Sequence, residues 1–191
     1  MNFNRHSDLT GRHATLSASK PHWVNYDDAK LANWFKSQLA AKEGSELHEI
    51  AANLIKKGIK LPRNNKTLNR YVNDAIGFRM TAEQILFYSY NCFGTADAIT
   101  YREIEGVSEL RIFDLKTGIS PANMRQLMIY AALFCHEYEL RPFEIDLIDL
   151  RIYQNDDVVS YEPPREDITM IMDRMVTADK LFNDLLLLAA A

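Results

Sequence analysis

Residues 92–116 read CFGTADAITYREIEGVSELRIFDLK, and this stretch decides the fold. Its two halves, Cys92–Tyr101 and Ser108–Leu115, are rich in the β-branched and aromatic residues that strands favour. The residues EIEG between them, from Glu103 to Gly106, predict a hairpin turn. Two neighbouring strands are therefore expected at the centre of the chain.

Apolar spacing outside this hairpin predicts helices and two further strands. In chain order the predicted elements are helices over Asp27–Ala41, Gly44–Lys57 and Thr67–Thr81, a strand over Ala82–Tyr90, a helix over Pro121–Glu137, a strand over Phe143–Tyr153 and a helix over Glu166–Leu188. Ser120 is the expected N-cap of the helix after the hairpin, and Pro121 suits its first turn. The order predicts an α/β (α+β) fold, with a central mixed sheet of about four to five strands flanked by helices.

The length of 191 residues fits one domain with a full-sized core. We predict a single domain over residues 1–191, with a helical part (1–80), a part that holds the sheet and a helix (81–155), and a C-terminal helix (160–191). Apolar residues make up 47% and charged residues 25%, as in ordinary globular proteins.

Cys92 and Cys135 are far apart in sequence and form no CxxC pair, which argues against a disulfide scaffold, a zinc cluster and an iron–sulfur site. Both thiols are expected to be buried and reduced, as in the cytoplasm. The N-terminal residues have no apolar core like that of a signal peptide. The apolar tail Leu185–Ala191 is shorter than the ~20 residues of a membrane helix, so no membrane partner is expected. The tail is expected to pack on the body of the protein or on another subunit.

Positive charge is concentrated in one region, although the net charge is −4. The basic residues considered for DNA binding are Lys56, Lys57, Lys60, Arg63, Lys66 and Arg70. One interpretation is a solvated helix face. The other is a groove that follows the phosphates of a nucleic acid.

Two acids lie near the ends of the two central strands, Asp97 in GTADAI and Asp114 in FDLKTG. Carboxylates on adjacent strands can converge on one cation, and Mg²⁺ prefers such oxygen ligands. Alternation along a strand places Lys116 on the same face as Asp114. A lysine there could hold an attacking water or stabilise charge on a phosphate. Gln126 and Tyr130 share one face of the following helix and could point back at the strand ends.

The order of these residues resembles the RecB-like branch of the PD-(D/E)xK nuclease superfamily, which includes phage exonucleases and CRISPR-associated nucleases. The matching pieces are Gly44-Ser-Glu-Leu-His48, Gly94-Thr-Ala-Asp97, Asp114-Leu-Lys116 and Gln126-Leu-Met-Ile-Tyr130. The stretch LSASKPHWVNY, residues 16–26, is similar to the N-terminal opening of phage members. The resemblance covers the chain from about Leu16 to Tyr153 and implies a restriction-endonuclease-like core.

The resemblance also implies roles for individual residues. His48, Asp97 and Asp114 would bind Mg²⁺ or Mn²⁺, with the backbone carbonyl of Leu115 as a further ligand. Lys116 would be the catalytic lysine, positioned by residues of the following helix. The residues implied to position Lys116 or the DNA backbone are Gln126 and Tyr130. Glu83, on the preceding strand, is a weaker candidate ligand and is equally a solvent-facing strand residue.

The implied function is DNA cleavage that depends on a divalent metal, by a phage-type exonuclease in recombination or DNA processing. The implied partners are DNA, a recombination or single-strand-annealing protein, and further copies of the chain, in the cytoplasm of a bacterial host. Many relatives hold an iron–sulfur cluster through cysteine groups that this chain lacks, so none is expected. A nuclease-derived module that binds DNA or protein without cutting, and a metal-dependent enzyme acting on RNA, stay open as alternatives.

Overall fold

The computed structural model describes residues 14–18, 20–118 and 122–189. Its helices are α1 (Asp28–Lys57), α2 (Thr67–Gly77), α3 (Arg125–Glu137) and α4 (Arg165–Ala189). Its strands are β1 (Thr81–Ser89), β2 (Cys92–Ile104), β3 (Val107–Leu115), β4 (Leu147–Gln154) and β5 (Asp157–Tyr161). None of the described helices is both long enough and apolar enough to cross a bilayer.

The five strands form one mixed sheet in the order β1-β2-β3-β4-β5. The pairs β1–β2, β2–β3 and β4–β5 are antiparallel, whereas β3 and β4 run parallel and are connected through α3. Parallel strands need such a crossover, because the chain must return to the same end of the sheet. The predicted α/β class with a mixed sheet of four to five strands is therefore confirmed.

Two hydrophobic clusters cover the two faces of the sheet. One holds Ile112 of β3 and Ile148 of β4 together with residues of α3 and α4. The other holds Phe113 of β3 with residues of α2 and the second half of α1. Consecutive residues of β3 thus enter opposite clusters, as expected for a strand that is buried on both faces.

The chain divides into two compact units, Met1–Glu43 and Gly44–Ala191. The first contains a 3₁₀ turn over Pro21–Asn25 and a hydrogen bond of 3.0 Å from the Trp23 indole N–H to the Ser17 carbonyl. The second contains the whole sheet and every residue that the sequence predicted for the site. The prediction of a single domain stays a prediction.

Four predicted boundaries differ from the observed ones. The two helices expected before and after residue 43 are one helix of 30 residues, because Ala, Lys and Glu at 40–43 are strong helix formers and no proline interrupts them. The helix α2 ends at Gly77, not at Thr81. The strand expected to begin at Phe143 begins at Leu147, since Pro142 starts a short 3₁₀ turn there. The helix α3 begins at Arg125 with Met124 at its N-cap position, and residues 122–124 are not helical, so the predicted start at Pro121 is wrong. Ser120, the expected N-cap, and Pro121 themselves lie outside the described residues.

The short strand β5 was missed by the periodicity. Its turn from β4 has positive φ at both central residues, Asn155 (53°) and Asp156 (59°). Two-residue hairpin turns of this kind favour Asn and Asp, because their side chains tolerate the left-handed conformation. The Asn-Asp pair was therefore the available indication of a hairpin in this part of the sequence.

Candidate active site

Asp97 lies where the pairing between β2 and β3 stops. The register between the two strands ends at Ala98 and Phe113. Beyond that point the Asp97 carboxylate accepts a hydrogen bond of 2.9 Å from the backbone N–H of Leu115. The Asp97 side chain thus takes the place of a backbone hydrogen bond between β2 and β3. This contact fixes the carboxylate between the two strands. The N–H and C=O of a strand residue point to the same edge, so the Leu115 carbonyl is directed toward Asp97 as well.

His48 approaches this carboxylate from α1. Its Nδ1 lies 3.3 Å from the Asp97 Oδ2, and both side chains are partly buried. Hydrogen bonding to Asp97 raises the pKa of His48, while burial acts in the opposite direction. The imidazole is therefore held beside Asp97, and its predicted role as a metal ligand stays a prediction.

Glu83 completes a group of three candidate ligands. The ligand atoms of His48, Glu83 and Asp97 all lie within 4.8 Å of one another, and we call this group the His48–Glu83–Asp97 cluster. Glu83 adopts a φ of 55° inside β1, and it falls between the paired residues Ala82↔Ala98 and Gln84↔Ala96. A left-handed conformation at a residue other than glycine costs about 1 kcal/mol or more, and such strain gathers at functional sites. In this register Glu83 lies opposite Asp97.

Asp114 is engaged by Lys116. The Asp114 side chain is almost fully buried, and the Lys116 ammonium lies 3.1 Å from its Oδ1 and 3.0 Å from its Oδ2. Only the contact to Oδ1 has hydrogen-bond geometry, so Oδ2 is buried without a hydrogen bond. Asp114 is not one of the three clustered ligands, and its predicted role as a metal ligand stays a prediction.

A chain of hydrogen bonds holds the lysine from the other side. The Lys116 ammonium donates to the Gln126 amide oxygen at 2.9 Å, and the Gln126 amide nitrogen donates to the Tyr130 hydroxyl at 3.1 Å. The hydrogen bond from Lys116 to Gln126 shows that the end of β3 and α3 converge, as expected. Gln126 and Tyr130 can interact because they lie one helical turn apart. We call Asp114, Lys116, Gln126 and Tyr130 the Lys116 chain.

Two glycines allow the close approaches that the site requires. A Cβ at Gly94 would lie 3.0 Å from Cε1 of the Tyr130 ring, so the ring rests directly on the β2 backbone. A Cβ at Gly44 would lie 2.6 Å from the Thr117 Oγ1. The glycine of the GTAD motif is thus explained by the tyrosine that packs on it, and the glycine inside α1 by the residue after Lys116.

The acids of the site repel one another. Burial, and then the charge of Asp97, raise the pKa of Asp114. The same two causes, in the same order, raise the pKa of Glu83, and the nearby Lys56 opposes them. A divalent cation bound by the His48–Glu83–Asp97 cluster would reduce this repulsion. The donor set of carboxylates and one imidazole suits such an ion.

Sequence reasoning missed Tyr71 of α2. Its ring is buried, and burial followed by the charges of Asp97, Glu83 and Asp114 raises the pKa of its hydroxyl well above the usual value. Tyr71 also packs edge-on against Tyr153, with ring centroids 5.4 Å apart. No motif marked it, because an aromatic residue at helical spacing reads as core.

The six basic residues predicted to bind DNA fall into two groups. Lys66 pairs with Asp156 at 2.9 Å, and Arg70 donates to the Asp156 carbonyl, so both fasten the β4–β5 turn to the start of α2. The other four are exposed and stay candidates for binding a polyanion, namely Lys56, Lys57, Lys60 and Arg63.

Comparison with known proteins finds no match for this chain: no family model, no curated protein and no solved structure matches it. The site therefore has to be interpreted from its own residues.

Proposed function

We propose that this protein is a nuclease that uses Mg²⁺ or Mn²⁺ to hydrolyse phosphodiester bonds of DNA, with an exonuclease as the preferred form. The observation that carries the proposal is that the His48–Glu83–Asp97 cluster and the Lys116 chain both lie where the pairing of β2 with β3 stops, at the C-terminal end of β3. The order of the motifs along the sequence supports the same reaction class.

His48, Glu83 and Asp97 would hold the ion, and Asp114 would turn its free oxygen toward it. When bound, such an ion lowers the pKa of a coordinated water and stabilises charge on the phosphate. Hydrolysis adds this water across the P–O bond, which breaks and leaves one phosphate end and one hydroxyl end.

Lys116 is suited to the phosphate. Its ammonium is already held by Asp114 and Gln126, so little conformational freedom is lost when it acts. A fixed positive charge beside the reacting phosphate stabilises the extra negative charge of the transition state. Gln126 and Tyr130 keep the ammonium in place.

Digestion of end-labelled linear DNA, closed circular DNA and RNA of the same sequence, with and without Mg²⁺ or Mn²⁺, tests the proposal. We expect metal-dependent loss of linear DNA by the natural chain and none by Lys116→Ala. Lys180→Ala, which removes an exposed lysine of α4, is the matched control and should cut normally. Absence of cleavage with either metal, or full activity of Lys116→Ala, would refute the proposal. Cleavage of RNA alone would refute DNA as the substrate and would identify the protein as a ribonuclease.

A further inference from the structure

Three aromatic side chains form an exposed patch at the tip of the β1–β2 hairpin. Phe87 and Phe93 are cross-strand partners whose rings stack with centroids 6.4 Å apart. Tyr90 meets Phe87 edge-on at 5.6 Å. The exposed fractions of Phe87, Tyr90 and Phe93 are 40%, 92% and 61%. We call these three residues the aromatic platform. Clustered apolar side chains this exposed mark binding surfaces.

The aromatic platform faces away from α3. Leu86 of β1 and Ala96 of β2 are buried in the cluster that contains α3. Alternation therefore directs Phe87 and Phe93 to the opposite face of the sheet. On β2, Asp97 contacts His48 of α1, which packs on that opposite face. Phe93 and Asp97 are four residues apart, a distance of about 13 Å along a strand.

We propose that the aromatic platform stacks unpaired bases of a single-stranded DNA segment whose backbone runs along β2 to the His48–Glu83–Asp97 cluster. The inference rests on the proposed function, since cleavage of DNA is what brings a strand to Asp97. About 13 Å corresponds to roughly four nucleotides at the ~3.4 Å rise of a stacked strand. A base held on Phe93 would thus place a phosphate a few nucleotides away at the cluster.

The chemistry of the aromatic platform fits a base better than a protein partner. Every base has a π-face, so stacking on Phe or Tyr tolerates any sequence. Three aromatic rings exposed to this degree offer roughly 400 Å², about half of the ~800 Å² per partner that a stable protein interface buries. Of the exposed neighbours, Thr95 and Asn91 are polar. Ile85, the cross-strand partner of Thr95, is 57% exposed and adds apolar area that still leaves the patch below the size of a stable interface. The patch is therefore too small for a second copy of the chain but matches one or two bases.

A positive charge accompanies this path. Lys56 lies on α1 eight residues after His48, about two helical turns or ~12 Å along the helix, and its side chain is exposed. An exposed lysine on this helix can contact a phosphate, while the rings of the aromatic platform hold a base. Grooves for single strands combine these two kinds of contact.

The test measures binding without cleavage. A fluorescein-labelled oligodeoxythymidylate of twelve nucleotides is titrated with the full chain in EDTA, and fluorescence anisotropy gives the Kd. We expect Phe93→Ala to weaken binding about 5- to 100-fold, the range for loss of one stacked base, and Phe93→Trp to restore it. Phe143→Ala is the matched control, since Phe143 is 63% exposed on another part of the unit, and it should bind like the natural chain. A blunt duplex of the same length should show no dependence on Phe93.

Each of the following outcomes would contradict the inference that the aromatic platform stacks DNA bases. Equal Kd values for the natural chain and Phe93→Ala, no binding of the oligonucleotide at all, or equal weakening by Phe143→Ala would each overturn it. So would light scattering that shows a dimer dispersed by Phe93→Ala while DNA binding persists, because a second copy then covers the aromatic platform. The proposed function fails separately, through absence of metal-dependent cleavage. A chain that cuts DNA with unaltered binding by Phe93→Ala keeps the proposed function and loses only this inference.

Discussion

The Asp97 carboxylate has two separable tasks, one structural and one chemical, and a pair of substitutions distinguishes them. Asp97 accepts the backbone N–H of Leu115 at 2.9 Å, and Leu115 is buried with 2% exposure. Asp97→Asn keeps an oxygen acceptor at this position and removes the charge. Asp97→Ala removes both, so the buried N–H is left without a partner. Both variants lose one of the three clustered ligands.

The free energy of unfolding should therefore differ between the two variants. An unsatisfied buried N–H costs about 1–3 kcal/mol, which for a chain of this size is a Tm difference of about 2–12 °C. We expect Asp97→Ala to melt lower than Asp97→Asn by this amount in metal-free buffer. Asp97→Asn should melt near the natural chain, because relief of the repulsion on Asp114 and Glu83 offsets loss of the ion pair with His48.

Thermal unfolding followed by circular dichroism, with EDTA or with Mn²⁺, measures both tasks. The natural chain should gain stability with Mn²⁺, by about 2.7 kcal/mol at a hundred times the Kd, and neither variant should show that gain. Equal Tm values for the two variants would refute the structural task. A normal Mn²⁺ gain in Asp97→Asn would refute the role of Asp97 as a ligand.

Three further outcomes are expected. Lys116→Gln should lower kcat by about 10²–10³-fold, the usual cost of losing one transition-state contact, yet keep the Mn²⁺-induced rise in Tm; loss of that rise would place Lys116 in metal binding instead. Gly94→Ala should lower kcat several-fold with little change in Tm, because the Tyr130 ring must move by a few tenths of an ångström. Displacement of a positioning residue by 1 Å can lower the rate about 10²-fold. Unchanged kinetics would contradict the role of this packing. Burial raises the pKa of Cys135 to about 12, so the folded state keeps a proton that the unfolded state loses, and stability should fall by about 1.4 kcal/mol per pH unit between roughly pH 9 and 12. Urea titrations of the natural chain and Cys135→Ala across this range measure the difference, and parallel pH curves would contradict it.

Local sequence patterns were sufficient to predict most of the helices and strands. The hairpin in residues 92–116 follows from strand-forming residues on both sides of a turn, and the turn itself has positive φ at Glu105 and Gly106. The α/β class follows from the alternation of strands and helices. The patterns placed element ends less well, because helix ends depend on contacts as well as on propensity. The two predicted N-terminal helices are one, because residues 40–43 favour a helix and Gly44 inside α1 packs against Thr117 without breaking the helix.

In the candidate site, too, local patterns predicted some features and tertiary contacts decided others. Alternation alone places Asp114 and Lys116 on one face, and helical spacing places Gln126 and Tyr130 one turn apart. These four residues do meet, as the hydrogen bonds show. Sequence alone ranked Glu83 below Asp114 as a ligand, whereas the geometry groups Glu83 with His48 and Asp97. Glu83 also has a φ of 55°, a left-handed conformation that its residue type does not predict.

The sequence by itself determined most of the elements and the candidate site residues that lie on them, because periodicity and turn preference are local properties of the chain. Only the tertiary structure decided which carboxylates share one point in space. His48 belongs to α1, whereas Glu83 and Asp97 belong to β1 and β2, two strands that follow each other in the chain. Glu83 falls opposite Asp97 in the pairing of β1 with β2, and His48 reaches Asp97 because α1 packs against the sheet. Contacts between distant segments are set by the packing of the whole unit, which no local pattern encodes.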